Sequence, residues 1–399
     1  MTVEEALEQI LSRVRPLTGE RVDVRATLGR VLAEPIVSGR EIPPWANSSM
    51  DGYAVRAADT AHAPVALAVV TRVSAGDTPG RRLGAGEAAR IFTGAPLPAG
   101  ADTVIPQEDV EATGATVRVT RPVATGAYVR PRGEDVRAGD PVLEPGQVIG
   151  PAEIGLLATL GRSPVLVHRR PRVAVLSTGS ELVDLGGEPG PWQIPNTNTY
   201  SLMAQVTDAG GEPTNVGVAA DRLEIIEERL RWATSADVLI SSAGVSVGEA
   251  DLVREALVRT GAQLHLWQVS MRPGKPITFG TLGPRLVFGL PGNPVSAMVT
   301  FELFVRPALL AMGGHRRLHR PRLRARALDP IANPGRRRGY LRVTLARDGD
   351  EYGARLTGEQ GSAILRSMVL ADGLAVVPGD TVVQKGETVD VMMLRPLAC

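Results

Sequence analysis

The feature that most constrains this chain is a repeated rhythm between residues 172 and 312. Short apolar runs end in small-residue loops, and each loop opens into a helical segment. Val173-Ala-Val-Leu176 runs into Ser177-Thr-Gly179, Val238-Leu-Ile240 into Ser241-Ser-Ala-Gly-Val-Ser-Val-Gly248, and Leu286-Val-Phe288 into Pro291-Gly-Asn-Pro294. Strands alternating with helices predict an open, mostly parallel, doubly wound α/β sheet. Ligands of such sheets bind outside the carboxyl ends of the strands, where these loops lie. The spacing predicts helices over 200–209, from an Asp221 N-cap with Glu224 as its box partner through Trp232, and up to Thr260 ahead of Gly261. Asn293 is expected to cap a further helix, with Pro294 at its first position.

The flanks read differently. Thr2 and Glu5 form a capping-box pattern, and Val3, Leu7, Ile10, Leu11 and Val14 share one helical face, so residues 1–40 read as a helical entry segment. Residues 151–158 predict a second short helix. Between them, from 41 to 150, alternating runs such as 65–70, 89–92 and 116–120 are bounded by Gly or Pro and predict a β-rich region. Beyond 320 short strands return as a small β-domain. The stretch 315–326 holds six arginines and no acid, which predicts a solvated linker.

Composition narrows the function classes. Lys plus Arg number 44 and Asp plus Glu 43, a net charge of +1, and aromatics are only 4%. Neither a nucleic-acid coat nor a base-stacking platform fits that balance. The single cysteine, Cys399, excludes an intrachain disulfide and a thiolate zinc cluster. The acidic amino-terminal segment does not read as a signal peptide, and no uninterrupted apolar run reaches the ~18 residues of a membrane helix. A soluble, cytoplasmic protein without nucleic-acid or membrane partners is expected.

Ser241 to Asp251 is the most informative stretch. A glycine-rich loop between a buried strand and a helix turns backbone N–H groups toward an anion. Ser246 adds a hydroxyl, and Glu249 and Asp251 bring carboxylates suited to Mg²⁺ beside phosphate oxygens. Met271-Arg-Pro-Gly-Lys-Pro276 offers two cations, Arg272 and Lys275, on a turn stiffened by two prolines. Ser177-Thr-Gly-Ser-Glu181 contributes a strand-end carboxylate. Asp221 reads equally as an N-cap or a ligand, and Asp51 before Gly52 reads first as a turn residue.

Seven motifs in this order resemble the molybdopterin molybdenumtransferase family, to which the gephyrin E-domain also belongs. They are Asn47-Ser-Ser-Met-Asp-Gly-Tyr-Ala-Val-Arg56, Phe92-Thr-Gly-Ala95, Arg132-Gly-Glu-Asp135, Ser177-Thr-Gly-Ser-Glu-Leu182, Ser241 to Asp251, Arg272-Pro-Gly-Lys-Pro276 and Leu290-Pro-Gly-Asn-Pro-Val-Ser296. The resemblance implies insertion of molybdenum from molybdate into adenylylated molybdopterin, with Mg²⁺-assisted hydrolysis of the adenylate and release of AMP. It implies an elongated homodimer with its active cleft between subunits. It also implies a helix-containing dimerisation domain built from 1–40 and 136–170, and a β-rich domain, 41–135, that contributes to the cleft. A central α/β molybdopterin-binding domain, 171–314, and a C-terminal β-domain, 315–399, complete the implied fold.

By the same resemblance Asp51, Thr93, Glu181, Asp221 and Asp251 are catalytic, with Asp221 and Asp251 holding Mg²⁺. Ser241, Ser242, Gly244, Ser246, Gly248 and Asn293 bind substrate, and Arg272, Lys275, Pro276, Arg342 and Ser362 cradle molybdate or neighbouring anions. The chain departs from the family pattern at Ser180 (usually Asp), Ala243 (usually Gly), Arg272 (usually Lys) and Gln268 (often Lys). A molybdopterin adenylyltransferase would have the central domain alone, and a receptor-clustering scaffold would have no need of the charged set.

Overall fold

The Arg172–Thr178 strand buries every residue after Arg172, as a strand covered on both faces must. It sits inside a six-stranded sheet whose order is Glu212–Ala219, Arg172–Thr178, Val238–Ser242, Arg285–Leu290, Pro276–Leu282 and Gln263–Gln268. The first four strands are parallel, as the rhythm predicts, and the last two pairings are antiparallel. Alternation along the central strand assigns its side chains to two cores. Val173 and Val175 face one core with Leu202, Val206 and Phe288, while Ala174 and Leu176 face another with Ile226, Leu230 and Leu257. The computed structural model describes residues 1–243, 252–349 and 351–397.

The chain forms two compact units. The first comprises residues 1–33, 146–150 and 164–399, the second 34–145 and 151–163.

In the first unit the Val3–Leu11 helix carries the Thr2–Glu5 capping box, with both reciprocal bonds formed. The helical reading of residues 1–40 is corrected beyond Leu11. Gly19–Val22 is a strand antiparallel to Val165–His168, because Pro16 and Gly19 interrupt the helical pattern. The Pro294–Met312 run is helical throughout, with a π-turn at Phe301–Val305. It is long and apolar enough to cross a membrane, yet 83% of it is buried within the protein, which makes it a core helix.

The arginine-rich stretch is corrected in part: five of its six arginines are exposed, but Arg320 is drawn inward and the residues from Arg322 form a strand. Arg320 donates from Nε to Glu302 Oε2 at 2.9 Å and from Nη2 to Asp208 Oδ2 at 2.6 Å, and Gln205 Nε2 donates to Glu302 Oε1 at 2.8 Å. The Glu302 side chain is only 4% exposed. Arg322–Ala327 then enters a closed barrel. Its strands follow the order Arg338–Asp348, Glu351–Leu356, Arg322–Ala327, Thr388–Met393 and Gly373–Val377, and the last pairs back with the first. The short Met271–Arg272 strand adds to this barrel, parallel to Arg338 and Gly339.

The second unit is built on a six-stranded sheet in the order Thr103–Pro106, Gly52–Val55, Glu87–Ile91, Val65–Val73, Thr116–Val119 and Val110–Thr113. Gly52 is required there, since a Cβ would fall 1.9 Å from the Ile105 carbonyl oxygen. The Pro151–Thr159 helix belongs to this unit.

Two stability predictions follow from buried charge and backbone strain. Glu302→Ala strands Arg320 in the interior and should cost about 3–5 kcal/mol in urea unfolding. Asp208→Ala, at a carboxylate 59% exposed, should cost no more than about 1 kcal/mol. Ala243 has φ +76°, a conformation that penalises a Cβ. Ala243→Gly should therefore stabilise the chain by about 1 kcal/mol in the same measurement.

Candidate active site

Parallel pairing places the loops after Arg172–Thr178, Val238–Ser242 and Arg285–Leu290 on one edge of the sheet. There they enclose a cavity of about 690 Å³ lined by Glu181, Asn198, Ser242, Ala243, Pro276 and Asn293, among others. A second cavity of about 430 Å³ has Arg272, Lys275, Gln360, Gly361 and Ser362 in its lining. The two share Pro276, Pro291 and Asn293.

The edge of the sheet is polar and partly unsatisfied. Asn198 donates from Nδ2 to Ser242 Oγ and to the Gly292 carbonyl, both at 2.7 Å. Its Oδ1, together with Thr178 Oγ1 and Ser241 Oγ, is buried without a hydrogen-bond partner among the described residues. A buried polar atom left unpaired costs about 1–3 kcal/mol, so Asn198 and Thr178, which line the cavity, mark a place kept for a ligand. Asn198 and Thr178 carry no local signal that would single them out: each reads as an ordinary residue at an element end.

Glu181 is exposed and lines the larger cavity. Gly179 makes room for it, since a Cβ there would fall 2.6 Å from a Glu181 carboxylate oxygen. Asp221 is not the N-cap of the following helix. Arg222 holds that position in Leu223–Trp232, and the Asp221 carboxylate is spent elsewhere. Its Oδ2 accepts the Ser180 N–H at 3.1 Å, and its own N–H donates to Ser180 Oγ at 3.2 Å. Two strand-end loops are tied together this way. Gly244, Ser246, Gly248 and Asp251 lie outside the described residues.

The basic turn is rigid for stated reasons. Gly274 has φ +99°, and a Cβ there would fall 2.4 Å from Thr300 Cγ2. Arg272 donates from Nη1 to the Pro334 carbonyl at 3.1 Å. Lys275 is exposed. Asn293 Nδ2 donates to Ser362 Oγ at 3.0 Å, and the Val295 N–H to the Ser362 carbonyl at 3.1 Å. These bonds fix the wall that both cavities share.

Arg342 lies behind that wall, wholly buried. It donates from Nε to Ser367 Oγ and from Nη2 to the Gly361 carbonyl, both at 3.0 Å, while Nη1 has no partner among the described residues. Burial, with the Arg272 charge adding to it, pushes its pKa down to about 10. The guanidinium thus stays charged near neutrality with no carboxylate bonded to it. Such a group is stabilised by an anion arriving from outside.

Asp51 and Thr93 come together in the second unit. Asp51 Oδ1 accepts both the Thr93 N–H and its hydroxyl at 2.8 Å. Those two bonds, with a smaller pull from Arg90, hold the Asp51 carboxyl below the usual carboxylate range.

Comparison with known proteins adds names to this geometry. Family models match in chain order: the MoeA N-terminal region (domain I and II) over residues 1–161, a probable molybdopterin binding domain over 174–311, and the MoeA C-terminal region (domain IV) over 324–394. A molybdopterin molybdenumtransferase of Nostoc sp. is 39% identical over 94% of this chain and 88% of its own length. Molybdopterin molybdenumtransferase 1 of Mycobacterium tuberculosis is 38% identical over 98% of this chain and 99% of its own. The crystal structure of the molybdopterin biosynthesis MoeA protein of Pyrococcus horikoshii OT3 superposes with a TM-score of 0.86 at 31% identity, covering 98% of this chain and 99% of that one. With three family models spanning it and relatives of this identity along nearly all of its length, the chain belongs to the MoeA, or molybdopterin molybdenumtransferase, family.

Proposed function

We propose that this transferase of molybdenum cofactor biosynthesis inserts molybdenum from molybdate into adenylylated molybdopterin, hydrolyses the adenylate, and releases AMP with the finished cofactor. The observation that carries the reading is the uncompensated guanidinium of Arg342 behind a cavity edged by Arg272 and Lys275. Molybdate is a compact dianion, and fixed donors compete with water for it better than flexible ones. A cavity of about 690 Å³ next to it has room for the organic part of the substrate.

In this reading Arg272, Lys275 and Ser362 hold molybdate, and Arg342 offsets its charge from behind. The loop from Ser241 to Gly248 would hold the substrate phosphates, with Ser246 adding a hydroxyl; of its described part, Ser242 lines the larger cavity and the Ala243 N–H is taken by the Leu290 carbonyl. Glu181 is the remaining polar group at this cavity, and Asp51 and Thr93 enter the proposal as the catalytic pair that the family resemblance implies. Asp221 and Asp251 would hold Mg²⁺. Asp221 fits that role by its chemistry, since it offers hard oxygen ligands and only its Oδ2 is engaged in a hydrogen bond. When bound, the ion would neutralise and polarise phosphate oxygens. A cytoplasmic homodimer belongs to the same proposal, and sedimentation should then give twice the chain mass of 42.1 kDa.

The direct test is incubation of the full chain with adenylylated molybdopterin, molybdate and Mg²⁺, following AMP. Release should occur, and it should vanish with Asp251→Ala or excess chelator; full activity in either case overturns the Mg²⁺ role. Lys275→Ala loses a charge-assisted contact of about 1.5–3 kcal/mol. It should raise the molybdate needed for half-maximal cofactor formation roughly ten- to a hundred-fold. Binding of the adenylylated pterin should change far less. Equal weakening of both would show a general phosphate clamp instead. Gln268 is the cross-strand partner of Pro276, so Gln268→Lys should lower the molybdate requirement.

A further inference from the structure

Two arginines stand in register on neighbouring parallel strands of the second unit: Arg72 of Val65–Val73 is the Cα partner of Arg90 of Glu87–Ile91. Like charges set opposite one another across strands repel. Arg81, Arg118 and Arg121 of this unit are paired with Glu87, Glu111 and Asp109. Arg72 and Arg90 have no such ion pair among the described residues. Both are in contact with one ring. The Cζ atom of Arg72 is 4.6 Å, and that of Arg90 5.0 Å, from the Phe92 centroid. Arg90 also lies 5.0 Å from the Tyr53 centroid.

A guanidinium held through its contact with a ring keeps its in-plane N–H donors for other acceptors. Arg90 is anchored, donating from Nη1 to the Gly52 carbonyl at 3.2 Å and from Nη2 to Gln107 Oε1. Arg72 donates to no acceptor among the described residues; its ring contact is what positions it. Asp51 does not neutralise the pair, because its Oδ1 is committed to Thr93 and it feels Arg90 only as a minor pull. The result is two permanent charges on one ring, one fixed and one with its donors free.

We propose that Arg72 and Arg90, both in contact with Phe92, form an oxyanion site on the second unit, in addition to the Arg272–Lys275 turn, for a doubly charged tetrahedral group. Two guanidiniums match a dianion better than a carboxylate. A phosphoryl group and molybdate share that chemistry, and this choice of ligands rests on the function proposed above.

The test is calorimetric titration of the full chain carrying Lys275→Ala, which weakens the other candidate oxyanion site, with inorganic pyrophosphate and with molybdate in separate runs. Adding Arg72→Gln should weaken binding of at least one anion by about tenfold or more. Adding Arg118→Gln, an exposed arginine of the same sheet, should leave both isotherms unchanged. Arg72→Lys should retain part of the binding, and higher salt should reduce it. Loss confined to pyrophosphate assigns the site to phosphoryl groups, and loss confined to molybdate assigns it to molybdate. An Arg72→Gln isotherm identical to the parent's for both anions overturns the site. So does a parent that binds neither anion, or an equal loss with Arg118→Gln. Because no turnover is measured, failure of AMP release and failure of this site are read independently.

Discussion

Parallel pairing of Arg172–Thr178 with both Glu212–Ala219 and Val238–Ser242 is the constraint from which the first unit follows. Parallel neighbours cannot be joined by a tight turn, so each connection must cross the sheet and helices must cover both faces. The same geometry sends every strand-end loop to one edge. Thr178, Ser241, Ser242 and Asn293 come together there although the chain separates them widely. Their clustering needs no special device beyond the strand direction.

Charge is handled unequally in this protein. Glu302 receives Arg320 and Gln205 and is well satisfied in the interior. Arg342, equally buried, has neutral partners and one free nitrogen. The first arrangement holds the core helix to the entrance of the barrel. The second is a liability for folding, and its location beside an open cavity gives it a use. Stability and the proposed function thus rest on different buried ions.

Much of this was legible because it is written locally. The Thr2–Glu5 box and the Asn293-Pro294 helix start need no distant partner, and both occur. The strand-loop rhythm fixed where loops gather, and the Arg272–Lys275 turn announced itself by its prolines and paired charges. What failed was decided at long range. Asp221 has the pattern of an N-cap, but Ser180, 41 residues away, takes its carboxylate. Arg320 sits in a run that looks solvated, and Glu302 draws it inside. The antiparallel edge went unread although Gln263-Leu-His-Leu266 alternates as a strand does, because the direction of its pairing is set by a partner and not by the run itself. The Thr178, Ser241 and Asn198 atoms left without partners are a property of packing, which no spacing rule reports.

The parallel pairing of Met271–Arg272 with Arg338 and Gly339 deserves one more consequence. A closed barrel has few free edges to offer, and this one uses an edge to receive two residues of the preceding domain. The basic turn is therefore stitched to a module whose last strand, Thr388–Met393, comes about 117 residues after Met271. A shortened chain ending before the barrel would keep the cavity residues in sequence but lose the frame that sets Arg272. In evolutionary terms, the barrel is not an interchangeable appendage. Any lineage that discarded or exchanged it would have to rebuild the Arg272–Lys275 turn at the same time.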